Sequence, residues 1–265
     1  MKKFFILLAL ALFIDACKTV PVTGRKQVAF ISNNEMLSLS DASYQNVLAD
    51  SKLSTNQAQT QMIKRVGEKI SKGVEKFFEE KNMASQLEGY QWEFNLIESD
   101  QVNAWCMPGG KVAFYTGIMP ICEDENGVAV VMGHEIAHAV ANHGNERMSQ
   151  ALLQQYGEVA LATAMQNSAQ TTQALALQAY GVGSTYLGVL PYSRLQESEA
   201  DQLGLIFMAM AGYDPNHAPA FWERMQNASG GNEPLEFFST HPSSATRIES
   251  IKRQIPEAMQ YYKPQ

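Results

Sequence analysis

The run from His134 to His138, with Glu135 inside it, constrains this chain more than any other feature. On a helix, positions four apart lie about 40° apart in projection, so the rings of His134 and His138 both reach one metal ion. Glu135 then points to the side of that ion. Two nitrogen ligands beside a carboxylate supply what zinc-dependent hydrolysis requires, because the carboxylate takes a proton from a water that the ion acidifies. The competing reading is an amphipathic helix that carries two histidines by accident.

Zinc that does hydrolysis usually takes three protein ligands and leaves one position open. A histidine six residues after His138 would complete one common pattern, but position 144 is Gly. His143, five residues on, sits about 140° around a continued helix and points elsewhere. A later glutamate is the other solution. Glu197 and Asp201 are an i, i+4 pair on one helix face, so Glu197 reaches the ion while Asp201 accepts the outer N–H of a ligating histidine, most naturally His134. Glu199 points away from them and is expected to face solvent. A solvated charged face would explain the two acids alone, yet Leu203, Leu205, Ile206 and Phe207 follow on the same helix.

The rest of the chain reads as α+β, mainly α. Ser32 to Glu35 fits a capping box that starts a helix toward Leu48. A second helix, about Thr55 to Glu80, places Met62, Ile63, Val66 and Ile70 at core spacing. Tyr90 to Ile97 alternates as a half-buried strand, and Asn103–Met107 and Lys111–Tyr115 flank the turn signal Pro108-Gly109-Gly110. A small antiparallel sheet is expected from these three. One helix from about Glu123 to Met148 then carries the histidines, opened by acids that suit a helix N-terminus. Residues 149–190, rich in Ala, Gln and Met, read as a surface helix or a lid over the active site rather than a membrane hairpin. Further helices follow from Arg194, from Asp214-Pro215, and after His241-Pro242.

The first sixteen residues read as a signal peptide. Lys2-Lys3 precede an apolar run, Phe4 to Ile14, that is too short to span a bilayer. Ala16-Cys17 at its end resembles a bacterial lipobox, with Asp15 a departure from the pattern. Cys17 is then the lipidated first residue, 17–31 a tether that leads to a membrane the chain does not cross, and 32–265 one domain. Lys18, where an inner-membrane retention signal would place Asp, favours the periplasmic face of the outer membrane. A net charge of −7 without Lys/Arg clusters argues against nucleic acid as a partner. Cys106 and Cys122 form an even pair in an exported chain, so either a disulfide or two buried thiols is expected.

Four blocks in order carry a family resemblance: Asn103 to Gly117, Gly133 to His138, Ser193-Arg194 with Glu197 to Asp201, and Ser239 to Pro242 with Arg247. Together they resemble the CaaX-prenyl-protease/HtpX-type zinc metallopeptidases over about residues 20–255. The stand-alone lipoprotein members, of the LoiP type, and the protease domains of the BepA and Oma types are the most similar. The resemblance implies a minigluzincin-type domain with one Zn2+ per chain, held by His134, His138 and Glu197, with Asp201 behind them. His241, in a His-Pro loop, reads as a donor to the oxyanion, as a removable latch on the metal, or as a plain surface-loop histidine before a helix; the resemblance associates such a histidine with regulating access to the metal. The block containing Asn103, Gly109, Gly110 and Val112 is expected to supply an edge strand on which substrate docks as an added strand. Such docking reads backbone, so unfolded or misassembled envelope proteins are the expected substrates and outer-membrane assembly machinery a possible partner. The alternative is a latched or inactive zinc protein that acts as a chaperone for outer-membrane precursors.

Overall fold

The computed structural model describes residues 17–20, 23–185, 190–230, 235–241 and 246–264. The expected signal peptide, the segment 242–245 after His241, and Gly231 lie outside the described residues. In chain order the elements are strands β1 (Cys17–Thr19) and β2 (Lys26–Val28), helices α1 (Asn33–Asp50) and α2 (Gln57–Glu80), and strands β3 (Glu93–Ile97), β4 (Ala104–Met107) and β5 (Lys111–Tyr115). Helices α3 (Met119–Cys122), α4 (Glu125–Val140), α5 (His143–Ala164), α6 (Gln170–Ser184), α7 (Leu190–Met210), α8 (Ala218–Ala228), α9 (Glu236–Thr240) and α10 (Arg247–Ala258) complete it. The chain is α+β and mainly α.

Two compact units form, one from residues 1–32 with 142–196 and the other from 33–141 with 197–265. In the first unit β1 and β2 pair antiparallel, so the segment expected as a tether folds into a hairpin. This hairpin and the residues after β2 are stitched to α5: Phe30 N–H donates to Ser149 Oγ at 2.9 Å, Asn145 Nδ2 donates to Ile31 O at 2.7 Å, and Arg25 forks onto buried Glu146. Helices α5 and α6 pack together, with Tyr180 OH on Gln154 O and Gln154 Nε2 on Ser184 Oγ. Their outer faces leave Tyr156, Val159, Leu175 and Val182 exposed. No helix among the described residues is long and apolar enough to cross a membrane.

The second unit is built around α4, in which every residue from Gly127 to Val140 is buried. The helix is thus enclosed on all sides and is not amphipathic with a solvent face. Helix α2 presents Ile63, Val66, Ile70, Val74 and Phe77, all fully buried, and starts at Asn56, whose side chain accepts from Gln59 N–H. Phe77 meets Phe207 of α7 edge-on, ring centroids 5.7 Å apart. The expected single helix through Met148 is instead two. Asn142 adopts φ 58°, a left-handed conformation that Asn tolerates and that ends α4. His143 therefore begins α5 and is fully buried.

The three-stranded sheet has the order β3-β5-β4 and is mixed, not antiparallel throughout. β4 and β5 form the expected hairpin, whose loop glycines Gly109 and Gly110 take φ 90° and 81°, conformations that strongly favour glycine. β3 docks parallel on the other side of β5, with Glu93 opposite Lys111. The carbonyls of Gly109 and Gly110 accept from the N–H groups of Gln91 and Glu93 at one end of that pair. Thr116 and Ser99 bond to each other at the other end. Alternation in the sequence shows a half-buried strand but carries no direction, which these end contacts fix. Cys106 and Cys122 are free thiols; no disulfide joins them.

Candidate metal centre

The centre is assembled from α4 and α7 outward. Asp124 caps α4, its carboxylate accepting from the N–H groups of Asn126 at 2.8 Å and Gly127 at 3.0 Å. Two turns on, α4 crosses α7 with backbone against backbone at Gly133 and Gly204: a Cβ on Gly204 would lie 2.8 Å from His134 N. Only two glycines permit that approach. It sets His134, the next residue on α4, opposite Glu197 and Asp201, which precede Gly204 on α7.

The donor atoms converge closely. His134 Nε2 and His138 Nε2 are 3.2 Å apart; Glu197 Oε2 lies 3.4 Å from the first and Glu197 Oε1 3.2 Å from the second. His241 Nδ1 lies 3.3 Å from His134 Nε2 and 3.2 Å from Glu197 Oε1. All four residues are buried and their ligand atoms fall within 4.8 Å of one another. A tetrahedron of ligands at zinc bond lengths of about 2.0 Å has edges of about 3.3 Å, so this donor set fits a zinc ion. Three imidazoles and one carboxylate are also the ligand chemistry that zinc takes.

The surroundings polarise these groups. Asp201 Oδ1 is 3.0 Å from His134 Nδ1, the ring nitrogen turned away from the cluster. Burial opposes the imidazolium of His134, but the Asp201 and Glu197 carboxylates outweigh it and push the ring up to about 9. Burial likewise opposes ionisation of Glu197, yet His138 and then His134 hold its carboxyl well below the usual range. Asp201 is held low, against its burial, chiefly by Arg247.

Glu135 is 2% exposed, and its Oε1 lies 3.5 Å from His241 Nε2. His241 thus spans from the ligand cluster to Glu135. Phe237, one turn earlier on α9, stacks on its ring at 4.5 Å and 25°.

Other expected residues are placed differently. Of the block expected to bind substrate, only β4 is a sheet edge. Val112 lies on central β5 and is fully buried, because β3 occupies the side that was expected to be open. Gly109 and Gly110 form the turn, and Asn103 is tied to the hairpin, its carbonyl accepting Tyr115 N–H and its side chain accepting Ala104 N–H. β4 runs beside α4: the Cys106 thiol is pushed up by burial and then by the charge of Glu135. Glu199 is buried, not solvated, because this turn of α7 is enclosed; Glu197, Ala200 and Asp201 are buried with it. Cys17 begins β1 in the first unit. Sequence reasoning gave Arg247 no role, although its guanidinium grips Asp201 and lies over Trp222. Its spacing from His241 was the only available signal.

A buried His-Glu-x-x-His helix facing a glutamate helix, with the donors arranged around one point, defines a gluzincin-type metallopeptidase domain. Comparison with known proteins agrees. The profile of peptidase family M48 matches residues 59–255, and the chain belongs to that family. It is 33% identical over 243 residues to the mitochondrial metalloendopeptidase OMA1 of Schizosaccharomyces pombe, covering 90% of this chain and 66% of that protein. The metalloendopeptidase OMA1 of Bos taurus is 30% identical, across 96% of this chain and 49% of its own length. The beta-barrel assembly-enhancing protease of Escherichia coli is 24% identical, across 91% of this chain and 48% of its own. The chain thus spans about half to two thirds of these relatives.

Proposed function

We propose that this chain is a zinc-dependent endopeptidase of the cell envelope that hydrolyses unfolded or misassembled envelope proteins. The observation that carries the reading is the convergence of the donor atoms of His134, His138, Glu197 and His241, all within 4.8 Å of one another, with Glu135 beside them. His134, His138 and Glu197 hold one Zn2+, and Asp201 orients His134. When bound, the ion supplies a Lewis acid that acidifies a water and polarises the scissile carbonyl. Glu135 takes the water's proton on a carboxylate oxygen and returns it to the leaving nitrogen as the peptide C–N bond breaks, giving one carboxylate and one amine. β4, the sheet edge beside α4, offers main-chain groups to an extended segment, so recognition reads backbone more than side chains.

The position of His241 favours a latched resting state. Its Nδ1 lies 3.3 Å from His134 Nε2 and 3.2 Å from Glu197 Oε1, so it would fill the fourth position that a catalytic zinc site keeps open, and Phe237 stacks on its ring. Turnover requires this ring to move aside; the alternative, that His241 donates to the developing oxyanion, predicts instead that His241→Ala loses cleavage. Without such a release the protein is a zinc-loaded holdase for outer-membrane precursors. The name of the Escherichia coli relative, beta-barrel assembly-enhancing protease, supports a link to outer-membrane assembly. The lipobox supports anchoring through Cys17 on the periplasmic face of the outer membrane.

Degradation of unfolded casein by the purified chain, with Glu135→Gln and His241→Ala in parallel and zinc measured in each, tests this. Cleavage lost in Glu135→Gln with zinc retained supports the hydrolytic role. Cleavage that appears only in His241→Ala supports the latch. No zinc in any of the three would overturn the proposal.

A further inference from the structure

Arg247, the first residue of α10, is 5% exposed, and every polar group of its side chain is directed at the support of the metal centre. Nε donates to Asp201 Oδ2 at 3.0 Å and Nη2 to Asp201 Oδ1 at 2.8 Å, a two-pronged fork on one carboxylate. The remaining Nη1 stands 3.4 Å from Glu197 Oε2, an ion pair longer than a strong hydrogen bond. The guanidinium carbon lies 3.5 Å from the centroid of the Trp222 ring, so the plane of the fork is set by stacking. One cation therefore touches both acids that α7 directs at the centre.

We propose that Arg247 is a positioning residue that fixes the His134–Asp201 pair and Glu197 in ligating geometry. The inference rests on the zinc reading above. Asp201 Oδ1, held by the fork, is also 3.0 Å from His134 Nδ1; a carboxylate oxygen only accepts, so this contact places a ring proton on Nδ1 and leaves Nε2 to present its lone pair to a metal. Nη2 also lies 3.4 Å from His134 Nδ1 and 3.5 Å from His134 Nε2; a nitrogen so nearly equidistant from both ring nitrogens makes a packing contact with the ring, not a directed hydrogen bond.

Lysine cannot substitute for this arginine. A single ammonium neither forks onto Asp201 while reaching Glu197 nor stacks flat on Trp222. Arg247→Lys therefore keeps the charge and loses the geometry, which separates positioning from simple neutralisation.

The experiment is zinc affinity by competition with a chromophoric chelator, together with thermal unfolding of the metal-free chain and the visible spectrum of the Co2+-loaded form. Parent, Arg247→Lys, Asp201→Asn and the double variant are compared. Arg247→Lys is expected to bind zinc about 10- to 100-fold more weakly and to shift the Co2+ bands. The double variant is expected to lose less than the sum of the two single changes, because the fork acts through Asp201 and only the Nη1 contact to Glu197 is separate. A zinc affinity of Arg247→Lys within twofold of the parent, with only the melting temperature lowered, would show an ordinary structural prop and overturn the proposal. Should Arg247→Lys fail to fold, a parent-like affinity in Asp201→Asn overturns it equally. A parent that binds no zinc would instead refute the metal reading itself, a different outcome from either of these.

Discussion

Replacing Gly204 with Ala tests whether the touching backbones of α4 and α7 set the metal centre. The added Cβ would lie 2.8 Å from His134 N, 2.9 Å from the Gly133 carbonyl carbon and 3.0 Å from His134 Cα. These are backbone atoms, so no side chain can swing away. Comfortable van der Waals contact begins at about 3.5 Å, so the helices must part by roughly 0.5–0.7 Å at the crossing. Metal sites hold their distances to about ±0.2 Å, and the crossing lies beside one ligand and within two turns of Glu197. Overpacking of this kind costs about 1–3 kcal/mol, which lowers the melting temperature by roughly 4–8 °C for about 2 kcal/mol in a chain of this size. Zinc affinity should fall at least about tenfold, by analogy with disturbed ligand support elsewhere. Scanning calorimetry of the metal-free chain and chelator competition measure the two effects. Gly144→Ala is the control, since nothing lies within 4 Å of its Cβ position and helix propensity makes the change neutral or slightly stabilising. A Gly204→Ala protein with parent-like melting and parent-like zinc affinity would refute the argument.

The remaining expectations are more direct. Glu135→Gln should lower peptide hydrolysis by about 10²- to 10⁴-fold while zinc, measured by mass spectrometry, stays at the parent level. Phe237→Ala removes the ring stacked on His241 and should weaken the latch, raising casein cleavage as His241→Ala does; unchanged cleavage in Phe237→Ala when His241→Ala is active would remove Phe237 from the latch. Asp124→Ala should cost about 1 kcal/mol at pH 7, as an N-cap does. Asp124 is held below 3.8, its burial outweighed by the bonds from Gly127 and Asn126. A carboxylate depressed in the fold contributes stability above its unfolded value of 3.8 and loses it as pH falls through the lower folded value. The difference in unfolding free energy between parent and Asp124→Ala should therefore shrink only below about pH 4, and its persistence at pH 2 would refute the assignment. Solvent exposure at this cap keeps the effect small.

Some of this was legible from residues a few positions apart. The i, i+4 pairs His134/His138 and Glu197/Asp201 are consequences of helix pitch, and so is the spacing that let Asp201 be assigned to His134. The β4–β5 hairpin follows from Pro108-Gly109-Gly110, since two successive positive φ values leave little choice but glycine. Each of these depends on neighbours within one element or one turn, and local sterics decide them.

What the tertiary structure alone decided concerns which faces of separate elements meet. Nothing around Gly133 or Gly204 announces that the two glycines touch, yet their contact brings His134 and His138 opposite Glu197 and Asp201. Sequence alternation could not reveal that β3 would run parallel to β5 and close the side of Val112, or that α7 would be enclosed at Glu199. Arg247 stood in the sequence as one member of a spaced block, and only packing laid it between Asp201, Glu197 and Trp222. The physical reason is the same in each case. Local conformation follows from short-range sterics and hydrogen bonding, whereas the pairing of distant faces follows from the simultaneous burial of many side chains, which no single segment encodes.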